Sequence, residues 1–204
     1  QLYVDYQKND CFDDSDYLKI GQQISGKKIL LIGPGKSVVN EKDNIFDFIQ
    51  KETPIVLSVN FIPDDLPVDY LFLTNSKRYA QQAKAISEAE GKTQIIATSN
   101  VTKAGGRFNL NLDYEKLIDR DAVFIDNSFL MALKVLMRTG VTDIALAGFD
   151  GYSLNKESDY FSSKMEYEFS KRMGQEINAD VNKTLCKFKS KLNFQFITPT
   201  LYRL

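Results

Sequence analysis

Short apolar runs and longer amphipathic stretches alternate along this chain. Lys28-Ile29-Leu30-Leu31-Ile32 is a nearly unbroken apolar run closed by Gly33, the pattern of a strand buried on both faces. The same signature recurs at Pro54 to Asn60, Asp69 to Asn75, Thr93 to Thr98 and Thr142 to Gly148, and Asn193 to Pro199 predicts a last strand. Between these runs, Asn40 to Lys51 carries Ile45, Phe46, Phe48 and Ile49 at helical spacing. Arg78 to Ala89 and Ser128 to Arg138 also predict helices, the second ended by Gly140. Met165, Phe169, Met173, Ile177, Val181, Leu185, Phe188 and Leu192 recur every three or four residues. They predict one long helix whose apolar stripe is either core or a dimer seam.

Two regions carry a weaker signal. In 99–120, Gly105-Gly106 marks a loop, and Phe108, Leu110 and Leu112 alternate like a short exposed strand. Ala122 to Ile125 reads as a short strand or an extended lead-in. Residues 1–25 are polar, with Asp10, Asp13, Asp14 and Asp16 clustered. They read as a linker or N-terminal arm with a short helix at Asp16 to Gln23, leaving 26–204 as the domain.

Buried strands alternating with amphipathic helices predict an α/β fold. Its form is three-layer, Rossmann-like and doubly wound, a mainly parallel sheet with helices on both faces and one long C-terminal helix. Ligands in such sheets bind at the carboxyl edge.

Composition narrows the chemistry. The formal net charge is -1 over 204 residues, so no basic field exists to attract nucleic acid or anionic lipid. No apolar run reaches the roughly 20 residues of a membrane span. The start of the chain lacks the pattern of a signal peptide and an initiator Met, which suggests a processed protein or a piece of a longer one. Cys11 and Cys186, far apart, argue against a disulfide framework and for a reducing, cytoplasmic setting. Histidine is absent. That excludes His general bases, Ser-His-Asp and Cys-His catalysis and His-ligated metals within this chain.

The candidate chemistry therefore sits at strand exits. Gly33-Pro34-Gly35-Lys36-Ser37 lies between a strand and a helix, where glycines let backbone amides approach an anion and the helix dipole favours it. It is not a P-loop, since Leu30 stands where the first glycine is required, and Val38 replaces the third glycine of the dinucleotide fingerprint. The plainer reading is a tight turn with Ser37 as helix cap. Asn60, Asn75 and Lys77 end the second and third strands, placed to meet a sugar, base or phosphate or to cap turns. Asp126 and Ser128 precede a helix, and Asp150 follows a buried strand; the two aspartates are the candidate bases. Tyr160-Phe161 reads as a lid or as packing.

Gly26 to Ser37, Ile55 to Phe61 and Val68 to Tyr79 resemble the C-terminal domain of bacterial proteins that carry an HMG-CoA-lyase-like barrel, of the 4-hydroxy-2-oxovalerate aldolase type. The resemblance spans roughly residues 26 to 202. It implies that residues 1–25 lead from a barrel in the same polypeptide. The barrel would supply the divalent metal and the carbon-carbon lyase chemistry, with no cofactor or metal held in this chain. More distantly, the Gly-rich loop, Asn60 and Asn127-Ser128 through Tyr152 resemble sialyltransferases that use CMP-sugar donors. Those enzymes rely on a catalytic histidine, which this chain lacks.

Three readings follow. The first is an accessory aldolase domain holding a nucleotide or phosphorylated sugar-like ligand through Gly33, Pro34, Gly35, Lys36, Ser37, Asn60, Asn75, Lys77, Ser128 and Asp150. The second is a glycosyltransferase-like enzyme using a nucleotide-sugar donor with Asp126 or Asp150 as base. The third is a structural domain whose long helix drives homodimerisation beside a vestigial cleft.

Overall fold

A computed structural model describes residues 14–103, 105–153, 159–166 and 168–203. Asp10, Cys11 and Asp13 lie outside the described residues, as does the side chain of Phe169. The apolar runs form the strands β1 (Ile29–Ile32), β2 (Ile55–Val59), β3 (Tyr70–Leu73), β4 (Gln94–Thr98), β5 (Leu110–Leu112), β6 (Asp143–Ala147) and β7 (Asn193–Phe196). They build one seven-stranded sheet in the order β5-β4-β3-β2-β1-β6-β7. Every neighbouring pair is parallel. This is a Rossmann-like three-layer α/β fold.

The period of two along each strand sorts side chains between the layers. Ile29 and Leu31 join a cluster on one face with Tyr17, Ile20 and Ile24 of α1 (Ser15–Ile24), and with α7 (Ser128–Arg138) and α8 (Glu168–Phe188). Leu30 and Ile32 turn to the other face. There they meet Val38 of α2 (Ser37–Asn40) and Ile45 of α3 (Lys42–Glu52). Farther along that face, α5 (Ala83–Glu88) and α6 (Ser99–Thr102) cover β3 and β4 through Ile86 and Val101, and α4 (Ser76–Gln81) precedes α5.

Several expectations change. Within the stretch read as a linker or arm, Tyr17, Ile20 and Ile24 share one face of α1 and are buried. The single helix expected at Arg78 to Ala89 is two, divided at Gln82. β5 is an edge strand, yet Leu110 and Leu112 are buried because their alternation turns them into the core. Ala122 to Ile125 forms no strand. The long C-terminal stripe is broken into a 3-10 turn at Ser163–Met165 and α8, which kinks at Met173. Next to the kink, a Cβ on Gly174 would lie 2.6 Å from Tyr152 Cβ, so the helix comes down onto that ring. Ile177, Val181 and Leu185 are buried by the chain's own core, which removes them as a seam for a second copy. No helix among the described residues is long and apolar enough to cross a membrane.

The topology places the site. From β1 the chain builds outward through β2 to β5, then returns to the other side of β1 as β6 and β7. The strand order thus reverses at β1 and β6, the position where sheets of this kind place a crevice at the carboxyl edge.

Candidate functional site

The loop after β1 comes first, because its backbone amides are the expected anion site. Gly33 N donates to Ala147 O at 2.8 Å, Gly35 N to Gly148 O at 2.8 Å and Lys36 N to Asp159 O at 3.2 Å. Ser37 N donates to Asp150 Oδ2 at 2.8 Å, and Pro34 has no N–H. These amides are thus spent on protein acceptors, and the free amide cradle expected from Gly33 to Ser37 is not present. The loop's anion is internal. A Cβ on Gly35 would stand 2.5 Å from Asp150 Oδ1, so only glycine lets the carboxylate nest there. Ser37 Oγ also hydrogen-bonds Asp150 Oδ1, and it stands 2.9 Å from the buried Thr198 Oγ1. Burial pushes the Asp150 carboxyl above its ordinary value, opposed by the bonds from Ser37 and Lys36 and aided by the nearby Asp159 charge.

Beside this loop, at the β1–β6 crevice, lies a cavity of about 300 Å³, the lower end of the usual range for small-molecule sites. Pro34, Gly35, Asn60, Asn75, Asp126, Ser128 and Asp150, all anticipated from sequence, line it. Gly33, Lys36, Ser37 and Lys77 do not; Lys36 and Lys77 are exposed, and Lys36 and Ser37 line a second cavity instead.

Within the main cavity, polar groups from three elements meet. Asn60 has φ +64°, a left-handed conformation that asparagine tolerates better than most residues. This turns its amide back: Oδ1 accepts from Thr74 N at 3.2 Å and Nδ2 donates to Ser128 Oγ at 2.8 Å. Ser128 Oγ lies 2.5 Å from Thr74 Oγ1. Ser128 opens α7, whose amides at Phe129 and Leu130 are capped by Asn127 Oδ1. Asp126 is exposed at the mouth and accepts from Tyr114 Oη at 3.2 Å. Phe129 stacks on Phe149 with ring centroids 4.0 Å apart, an apolar wall.

Residues that sequence reasoning left out of the site complete it. The stretch 159–165 crosses the loop after β1, pairing Tyr160 with Gly35 and sending Phe161 N to Pro34 O at 3.1 Å. Its phenol Tyr160 Oη is 2.7 Å from Tyr152 Oη. Burial raises the Tyr152 hydroxyl to about 12, ahead of the lowering bond from Tyr160, so it stays protonated at neutral pH and can donate. Arg78, 3% exposed, lines the cavity. Its guanidinium donates to Gln81 Oε1 at 2.9 Å and to the carbonyls of Lys164 and Met165, fastening the stretch to α4. The sequence offers Tyr160 as a lid or as packing and Tyr152 as part of the exit after β6; no local pattern pairs them. Among the described residues, no group of Cys, Asp and Glu is arranged to hold a metal ion.

No family model matches this sequence, and no curated protein matches it. Among solved structures, crystallographic analysis of monomeric CstII, a sialyltransferase, gives a similar chain. Its TM-score is 0.52 at 15% identity, covering 86% of this chain and 83% of that one. The likeness is one of fold, and it agrees with the distant resemblance read from the Gly-rich loop, Asn60 and Asn127 to Tyr152. The resemblance to the aldolase C-terminal domain gains no support from these comparisons.

Proposed function

We propose that this chain is a glycosyltransferase-type enzyme that holds a nucleotide-sugar donor in the β1–β6 crevice. The observation that carries the reading is the pairing, in one cavity, of the Asn60–Thr74–Ser128 cluster with the Tyr152–Tyr160 phenols. Amide and hydroxyl groups that act as both donor and acceptor suit the edges of a base and the hydroxyls of a ribose. In the Tyr152–Tyr160 pair one hydroxyl donates to the other, which leaves one O–H as a neutral donor for a phosphate oxygen where the β1 loop has no amide left to offer. The stacked Phe129–Phe149 wall suits a flat ring. The fold shared with a sialyltransferase supports the same reading.

Transfer requires the acceptor hydroxyl to lose its proton, and without histidine a carboxylate is the fitting base. Asp150 is engaged through both oxygens by Ser37, a positioning role. Asp126, at the mouth, accepts from Tyr114 Oη.

Calorimetric titration with CMP, UDP and GDP and their sugars tests the proposal. One nucleotide class is expected to bind selectively, and Ser128→Ala is expected to weaken it about tenfold, the loss of one hydrogen bond. Absence of binding by every member of the panel overturns the reading.

A further inference from the structure

A second cavity of about 380 Å³ meets the main one at common residues. Asp150, Gly151 and Asp159 line both this cavity and the main one. The rest of the second cavity's described lining combines Lys36, Asn40, Glu41 and Thr200 with the apolar Pro199 and Leu201. Two hollows that share lining residues suit a reaction that joins two molecules. The base that takes the incoming molecule's proton belongs among the shared residues.

The two shared carboxylates differ. Asp150 has both oxygens committed to Ser37. Asp159 is held by its backbone, whose carbonyl accepts from Lys36 N at 3.2 Å. Among the described residues its side chain takes one bond, from Ser153 N to Oδ1 at 2.9 Å. Oδ2 makes no hydrogen bond to the described residues. The carboxylate is therefore oriented by one oxygen and available through the other. Asp126, by contrast, lines only the main cavity.

We infer that the second cavity is the acceptor site, taking a sugar hydroxyl, and that Asp159 is the general base. The inference rests on the donor reading above. In the step, the acceptor O–H gives its proton to Asp159 Oδ2 while the acceptor oxygen bonds to the donor's anomeric carbon. The bond from that carbon to the phosphate oxygen breaks, and its electron pair leaves on the nucleotide. Charged and amide groups beside Pro199 and Leu201 suit a sugar, which presents hydroxyl edges together with an apolar C–H face.

The test uses the full chain with CMP-N-acetylneuraminate, UDP-galactose and GDP-mannose as donors, and with water, lactose and p-nitrophenyl glycosides as acceptors. Nucleotide release is measured. Asp159→Asn keeps the oxygen that accepts from Ser153. It is expected to leave nucleotide affinity within about twofold of wild type and to lower kcat by about a hundredfold. Asp159→Ala is expected to regain activity on adding formate, which a merely structural role would not produce. Asn40→Trp, which fills the second cavity, is expected to raise the acceptor KM by about tenfold. A chain that binds no nucleotide overturns the donor reading and this inference with it. A chain that binds donor, yet turns over equally well as Asp159→Asn or releases nucleotide to no acceptor, overturns the inference alone.

Discussion

The exit of β1 and the exits of β2 and β3 share the carboxyl edge of one sheet, yet they have opposite fates. The β1 exit carries the glycine-rich loop that most resembles an anion site, and its amides are already satisfied by Ala147, Gly148, Asp150 and Asp159. The β2 and β3 exits carry ordinary turn residues, Asn60 and Thr74, and these form the cavity's polar cluster with Ser128. Glycine at a strand exit permits close approach; it does not specify what approaches. Here a carboxylate of the same chain does, and the glycines serve packing between the β1 and β6 exits.

That contrast can be broken at its tightest point. Gly148 has φ +70°, and a Cβ there would sit 2.1 Å from Gly33 O, a backbone atom that cannot swing aside. Gly148→Ala is expected to cost about 3 kcal/mol, roughly 10 °C in Tm, measured by thermal unfolding. A variant as stable as wild type would mean that the two exits are not packed as described.

A smaller effect sharpens the role of Asp150. Its folded-state carboxyl is raised by burial, so it favours folding while protonated. That contribution is lost as pH rises from the ordinary aspartate value of about 3.9 through the higher folded-state value. Asp150→Asn carries no charge at any pH. Relative to wild type, the variant is expected to gain stability across that window and to level off above it. Chemical denaturation at a series of pH values follows the difference, and a constant difference would remove burial as the dominant influence.

The smallest effect separates the two exits functionally. Lys36 is exposed and lies outside the main cavity, so Lys36→Ala is expected to leave nucleotide affinity unchanged in the titrations that detect Ser128→Ala. A large loss of affinity would return the phosphate to the β1 loop.

The element pattern was legible because periodicity is local: Ser128 to Arg138 matches α7 end to end, and each apolar run from Ile29 to Ala147 holds a strand within a residue or two. Where local patterning misled, competing contacts decided. Tyr17, Ile20 and Ile24 sit among enough polar residues to pass for an arm, and only the neighbouring α7 and β5 give their face something to cover. The site was half legible. Asn60, Asn75, Asp126, Ser128 and Asp150 stand at strand exits or a helix start that the fold class brings to one edge. Tyr152, Asp159 and Tyr160 follow no repeating pattern, and their roles depend on where the chain turns after β6.

The amino-acid order alone therefore determined the strands, most helices, the edge where ligands belong and, by lacking histidine, the kind of base available. Only the tertiary structure decided which exits touch. Ser37 and Asp150 are separated by 113 residues, and no local signal tells a glycine loop that its anion will come from its own chain. Hydrogen-bond satisfaction is settled between elements distant in sequence, and that is why the amide loop closed while the crevice beside it stayed open.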